Sequence, residues 1–305
     1  METVSAAPAK WKTLLAFAII YFVWGSTFLA IRIGVHELPP LLCAAMRFLA
    51  AGGIIVGAML AKGDSLPTAR QWLSASTIAL LIFLTDYGLL FWAEQRVPSG
   101  LASVMLATIP VFMALAEIIL LRTQRLTLRL ALALLIGICG VAVLMSRSLN
   151  LSGAPIDRDG AIALIIGAMS FSLGSILSRK LPLPASKVMS SGAQMLAGGV
   201  LLAIVSTVLG EYRGFHPGAV SAAAWLALVY LIVPGSIIGF SAYVWLLHHQ
   251  SPTKVGTYAY VNPVVAVLLG YFLANEVLGV RTIAGTLLVL LSVVLITTAK
   301  AKKPA

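Results

Sequence analysis

The sequence predicts an all-α membrane protein of ten transmembrane helices, arranged as two inverted five-helix repeats around a central cavity. Three observations predict it. Of 305 residues, 60% are hydrophobic and only 10% charged, far below the roughly 25% charge of an ordinary soluble domain. Apolar stretches of about 20 residues, the length a helix needs to cross the hydrocarbon of a bilayer, recur along the whole chain. The two halves also carry matching tryptophan and proline residues at one constant offset of 153.

A soluble protein this poor in charge lacks the polar groups to cover its surface, so lipid is the solvent left for its apolar area; the mean hydropathy of +1.01 agrees. The net charge of +11 does not form the single basic patch that nucleic acid requires. It sits at the ends of the apolar stretches, where it reports topology instead. Cys43 and Cys139 both fall in apolar stretches and read as small buried hydrophobes, with no disulfide framework and no metal set. Lys10 and Lys12 precede an apolar run, as in a signal peptide. That run is too long and has no clear small-residue cleavage site, so it reads as a first, retained helix.

The spans fall at 13–32, 40–61, 71–93, 99–121, 128–146, 160–179, 188–209, 222–247, 253–274 and 280–299. Proline marks several starts: Pro39-Pro40 before the second, Pro98 before the fourth, Pro182 and Pro184 before the seventh, Pro252 before the ninth. Proline suits a helix start because its missing N–H has no intrahelical partner there. With the N-terminus in the cytoplasm, the inside segments hold 14 Lys and Arg against 6 outside, which satisfies the positive-inside rule and returns the C-terminus to the cytoplasm.

The longest polar gap, 147–159, separates five spans from five, giving halves 1–150 and 151–305. Trp92 and Trp245 close the third and eighth spans; Pro110 and Pro263 lie within the fourth and ninth, each followed by valine. An odd number of spans per half forces the halves to face the membrane in opposite senses, the plan of many secondary transporters.

A proline within a helix frees the carbonyl four residues earlier, here those of Leu106 and Ala259. In hydrocarbon such a group needs protein or a water-filled cavity to serve it, so Pro110 and Pro263 mark a site near the midplane; a simple packing kink is the competing reading. The ninth span reads Thr257-Tyr258-Ala259-Tyr260-Val261-Asn262-Pro263, with Tyr258 and Asn262 four apart on one face. Polar side chains at this depth face protein or water, either bonding between helices or lining a cavity. Among charges within spans, Asp86 is the candidate for a proton or cation relay, since a centred charge costs about 2.5–3.5 kcal/mol. Arg47 is read as structural, with Asp86 as a possible pair. Glu94 and Glu117 are expected to snorkel or pair at the interfaces. His248-His249 is read as a solvated interface pair without further metal ligands. Gly53/Gly57 and Gly235/Gly239 are GxxxG pairs that allow close helix packing.

No Walker A run, HExxH or G-x-S-x-G is present. Gly25-Ser26 and Gly174-Ser175 lack a histidine from another span to serve as base, which disfavours an intramembrane serine hydrolase.

Several stretches resemble the EamA branch of the drug/metabolite transporter superfamily. Trp24-Gly25-Ser26-Thr27-Phe28 with Arg32 is similar to its first-helix signature, and Arg47-Phe48-Leu49-Ala50-Ala51 to its second. The run Tyr260-Val261-Asn262-Pro263-Val264, continuing to Gly270 and then Glu276-Val277-Leu278, is similar to the ninth-helix proline and the acidic motif after it. In the first half Arg122-Thr123-Gln124 stands where the acidic residue is expected, so the two repeats differ at that corner. The resemblance implies one EamA repeat in 1–150 and another in 151–305, a central cavity, and alternating access without ATP. It further implies a bacterial inner-membrane exporter of amino acids, aromatic or other neutral ones included, or of related small metabolites. A sugar importer or exchanger is the rival; phosphorylated substrates are disfavoured because only Arg47 offers a cavity cation. The expected cavity residues are Trp24, Tyr87, Trp92, Pro110, Tyr243, Tyr258, Tyr260, Asn262 and Pro263. The expected partners are a small-molecule substrate and the lipid bilayer, with no cofactor and no nucleic acid; monomeric function is compatible with the sequence.

Overall fold

The computed structural model describes residues 9–97, 99–145, 157–274 and 280–298. Among them every regular element is helical. Six helices are long and apolar enough to cross a membrane unaided: α1 (Lys10–Glu37), α2 (Pro40–Ala61), α3 (Ala69–Ala93), α7 (Arg158–Leu177), α8 (Lys187–Val208) and α9 (Ala222–His249). Shorter apolar helices complete the bundle: α4 (Ser99–Leu106), α5 (Ile109–Leu121), α6 (Leu128–Met145), α10 (Pro252–Val255), α11 (Tyr258–Ala274) and α12 (Val280–Thr297).

The helix starts follow from local chemistry. Pro40 and Pro252 occupy first-turn positions, where an N–H would be unpaired. Thr68 and Gln71 form a reciprocal capping box at α3. Asp157, Ser186, Ser221 and Ser251 each accept a backbone N–H at the start of their helices, satisfying groups that have no intrahelical partner. The expected role of Pro98, and the acidic motif around Glu276, lie outside the described residues.

The fourth and ninth apolar stretches are each broken, though not at matching points. The first interruption falls at Ala107–Thr108 and leaves Pro110 in the first turn of α5, not in mid-helix. The second falls at Gly256–Thr257, well before Pro263, which sits inside α11. The two breaks abut: a Cβ added to Gly256 would lie 3.4 Å from the Pro110 Cα. Helices α3 and α9 each carry an eight-residue π-helical turn, Leu80–Tyr87 and Leu231–Ile238, a distortion that concentrates at functional sites.

Small residues set the closest crossings. A Cβ on Gly52 would fall 2.5 Å from the Leu196 backbone N, and one on Gly199 would fall 2.6 Å from the Leu49 backbone N, so α2 and α8 meet backbone to backbone. Gly140 brings α6 close to α12, a Cβ there falling 2.8 Å from the Val289 backbone N. Of the two GxxxG pairs, Gly235/Gly239 packs against Thr27, Arg47 and Trp24, whereas Gly53 and Gly57 face open space. The packing expected of Gly53/Gly57 is therefore corrected: one position along a helix turns the side by about 100°, and the contact falls to Gly52. Cys43 is buried, but Cys139, expected to be buried, is exposed.

Candidate functional site

Helices α1, α3, α4, α5, α7 and α11 converge on a chamber of about 40 Å³, room for one or a few water molecules and not for an amino acid. Its lining residues are all buried. Trp24, Thr27, Phe28 and Ile31 line it from α1, a spacing of three and four residues that keeps one helical face inward. Asp86, Tyr87 and Leu90 enter from α3, at and just after its π turn. Leu106 and Ile109 flank the first helix break, Phe171 comes from α7, and Tyr258 and Asn262 share one face of α11.

An aromatic cluster closes one side. Trp24 stands edge-on to Tyr258 with ring centroids 4.7 Å apart, and 5.0 Å from Tyr243, which lies 5.4 Å from Phe171. Two polar edges of this cluster are held: Trp24 Nε1 donates to the Gly235 carbonyl at 3.0 Å, and the Tyr243 hydroxyl bonds Ser175 at 2.6 Å. Below, Tyr21 and Thr257 pair at 2.7 Å beside the second helix break.

The two polar groups that the chamber leaves open are Asp86, 4% exposed, and Asn262, 4% exposed; an oxygen of each is buried without a hydrogen-bond partner. Gly167 makes room for Asp86, since a Cβ there would lie 2.9 Å from its Oδ1. Arg47 does not pair with Asp86. Its Nε donates to Ser236 at 2.8 Å, and its guanidinium lies over the rings of Phe48 and Tyr87 at 4.7 and 5.1 Å. The π turn of α9 supplies Ser236 and so holds Arg47 behind the Tyr87 ring.

Of the residues expected at the cavity, Trp24, Tyr87, Tyr258 and Asn262 line the chamber together with Asp86. Tyr243 lies just behind them, fully buried in the aromatic cluster. Pro110 neighbours the lining residue Ile109, and Pro263 is buried one residue beyond Asn262. Trp92 stands elsewhere, in an apolar outer groove with Leu84, Leu89, Ile162 and Ile166, capped by the Arg96 guanidinium at 4.0 Å. Tyr260 also points away: its hydroxyl donates to the Leu134 carbonyl at 3.0 Å. Ile31, Leu90 and Phe171 are not singled out by the sequence, and Thr27 and Phe28 only as part of the first-helix signature, although 24, 27, 28 and 31 form a legible stripe.

Two further expectations are corrected. Glu94 and Glu117 do not snorkel; they are 3% and 1% exposed. Glu117 accepts from the Thr253 N–H at 3.0 Å, the Thr253 hydroxyl at 2.6 Å and the Thr123 hydroxyl at 3.0 Å. Donors from the start of α10 thus replace water. The serines that invite a hydrolase reading are occupied too. Ser26 bonds the Tyr230 hydroxyl and the Val23 carbonyl, Ser175 bonds Tyr243 and the Phe171 carbonyl, and no cluster of metal-ligating side chains occurs among the described residues.

Comparison with known proteins identifies the family. The chain is 40% identical over 292 residues to YedA, an inner membrane transporter of Escherichia coli K12, covering 95% of this chain and 92% of that one. It is 26% identical over 302 residues to the transporter YvbV of Bacillus subtilis, covering 97% and 95%. A solved crystal structure superposes with a TM-score of 0.73 at 22% identity, over 94% of this chain and 98% of the other, which speaks for the fold alone. The EamA-like transporter family matches twice, at residues 11–146 and 158–298. With almost the whole described bundle inside those two matches, the chain belongs to the EamA-like transporter family.

Proposed function

We propose that this protein is a secondary transporter that exports amino acids or related small metabolites across a bacterial inner membrane by alternating access, with both termini in the cytoplasm. The observation that carries the reading is the narrow chamber: aromatic faces and two side chains with unpartnered buried oxygens, gathered beside the two helix breaks, in a chain of a transporter family. Its small volume fits a state between outward and inward opening, in which the walls must part before a solute enters.

Ten spans in two inverted repeats complete the proposal. The double family match supports it. So does the pairing of α2 with α8 and of α6 with α12, since a two-fold axis in the membrane plane brings equivalent helices together across the halves. The π turns begin at Leu80 and Leu231, near the offset of the paired prolines. Asp86 is the group proposed to carry a coupling proton or cation.

Flux of labelled amino acids into proteoliposomes, with and without an imposed pH gradient, tests the reading. Tyr258→Ala and Asn262→Ala are each expected to lower flux about tenfold, the loss of about 1.4 kcal/mol of solute interaction, with the protein still inserted. Unchanged flux in both variants at equal protein level would remove the chamber from the transport path.

A further inference from the structure

The chemistry of the chamber wall narrows what it can hold. No Lys, Arg or His lines it among the described residues. Its indole N–H is taken up by Gly235 and its Thr27 hydroxyl by the Trp24 carbonyl at 2.8 Å. What remains is the Asp86 carboxyl and the Asn262 amide, both almost fully buried and each with an oxygen no donor reaches, together with the neutral hydroxyls of Tyr87 and Tyr258. Around them stand the rings of Trp24, Tyr87, Phe171 and Tyr258.

A buried carboxylate without donors is satisfied by a proton or by a cation. Ring faces attract cations within about 6 Å. Both features favour the same guest group, an ammonium. A carboxylate on the guest meets the opposite situation: it would enter a wall with no cation and face Asp86. Arg47 does not line the chamber in this geometry: its Nε is held by Ser236 and its guanidinium lies over the Tyr87 ring, although its Nη1 is buried without a partner.

We propose that the chamber recognises a protonated amine with an apolar body, Asp86 acting as its counter-ion and Asn262 as a neutral hydrogen-bond partner. Amines whose carboxylate is absent or masked are then held more tightly than the corresponding free amino acids. The inference rests on the chamber being the transport site, and it narrows the amino-acid and metabolite class to its amine side.

Matched pairs test it: phenethylamine and phenylalanine amide against phenylalanine, and isoamylamine against leucine. Binding to the purified full-length protein in detergent is read by isothermal titration calorimetry, alongside flux of labelled phenylalanine and leucine in proteoliposomes. In each pair the amine is expected to bind at least tenfold more tightly than the amino acid. Asp86→Asn is expected to bring the members of a pair within about threefold of each other, and Asp86→Glu to retain the preference. An amino acid binding as tightly as its amine in the unmodified protein overturns the inference; if labelled amino acids are also carried, the transport reading survives and Arg47 becomes the partner to seek for their carboxylate. No binding by any member and no flux would remove the chamber reading and this inference together.

Discussion

Among the buried and partly buried carboxylates of this bundle, two pairs divide sharply. Glu117 accepts three hydrogen bonds. Glu211 likewise accepts three, from the N–H groups of Leu41 and Leu42 at 3.2 and 2.8 Å and from the Ser206 hydroxyl at 2.8 Å. Each joins separate parts of the chain: Glu117 ties the end of α5 to the start of α10, and Glu211 ties the turn after α8 to the start of α2. Asp86 and Glu94 are buried as deeply as Glu117, yet hold oxygens with no hydrogen-bond partner. Burial alone therefore says little about what an acid does. Orphaned helix-start N–H groups recruit the first pair as caps. The second pair carries an unsatisfied polar cost of about 1–3 kcal/mol, which folding alone does not require.

The largest effect is expected where the donors would be abandoned. Glu117→Ala orphans the Thr253 N–H and hydroxyl in a fully buried place, at a cost of about 3 kcal/mol. Glu211→Ala exposes a less buried junction and is expected to cost about 1–2 kcal/mol, the usual range for a lost helix cap. Thermal unfolding in detergent, followed by fluorescence-detected size exclusion, ranks the two. Small, equal shifts would mean that the caps are incidental and the division between the pairs is empty. Asp86→Asn sharpens the other side. Its melting temperature should hold or rise, because a neutral amide costs less to bury than a carboxylate, while flux falls about tenfold or more, equivalent to at least about 1.4 kcal/mol. A destabilised Asp86→Asn with proportionate flux would place Asp86 among the structural acids.

Much of the bundle is legible in the sequence because hydropathy and length act through the bilayer itself. The long helices, the proline and hydroxyl caps, and the polar face of Tyr258 and Asn262 all follow from local pattern. Rotation about a helix is harder to read. Gly53 and Gly57 satisfy a packing motif, but the contact is made by Gly52. Tyr258 and Tyr260 are both aromatic and two residues apart, so a helix turns them some 200° from one another, and only the first reaches the chamber. Pro110 and Pro263 announce that their helices break without saying where, since the turn forms where neighbouring residues can serve the freed groups. The π turns of α3 and α9 leave no trace in hydropathy: one extra residue in a turn does not alter composition. Yet they aim Asp86 and hold Arg47 away from it.

The smallest effect is expected at Glu94, and it asks whether a missing partner is by itself a sign of function. Glu94 follows Asp86 by two helical turns, and Leu90 between them lines the chamber. Arg32 acts on Glu94 electrostatically but is exposed and gives it no hydrogen bond, so the pair is worth about 0–1 kcal/mol. Glu94→Gln keeps the volume, gives up that attraction and removes a buried charge. The two changes oppose each other, leaving stability within about 0.5 kcal/mol of the parent. If only the chamber acid serves transport, flux in Glu94→Gln stays within about twofold of the unmodified protein in the same proteoliposome assay, a difference of about 0.4 kcal/mol. A loss as large as that of Asp86→Asn would instead join the two acids into one route, running from the helix end at Glu94 past Leu90 to the chamber, and the contrast with Glu117 and Glu211 would then separate a path through the protein from the joints that hold it together.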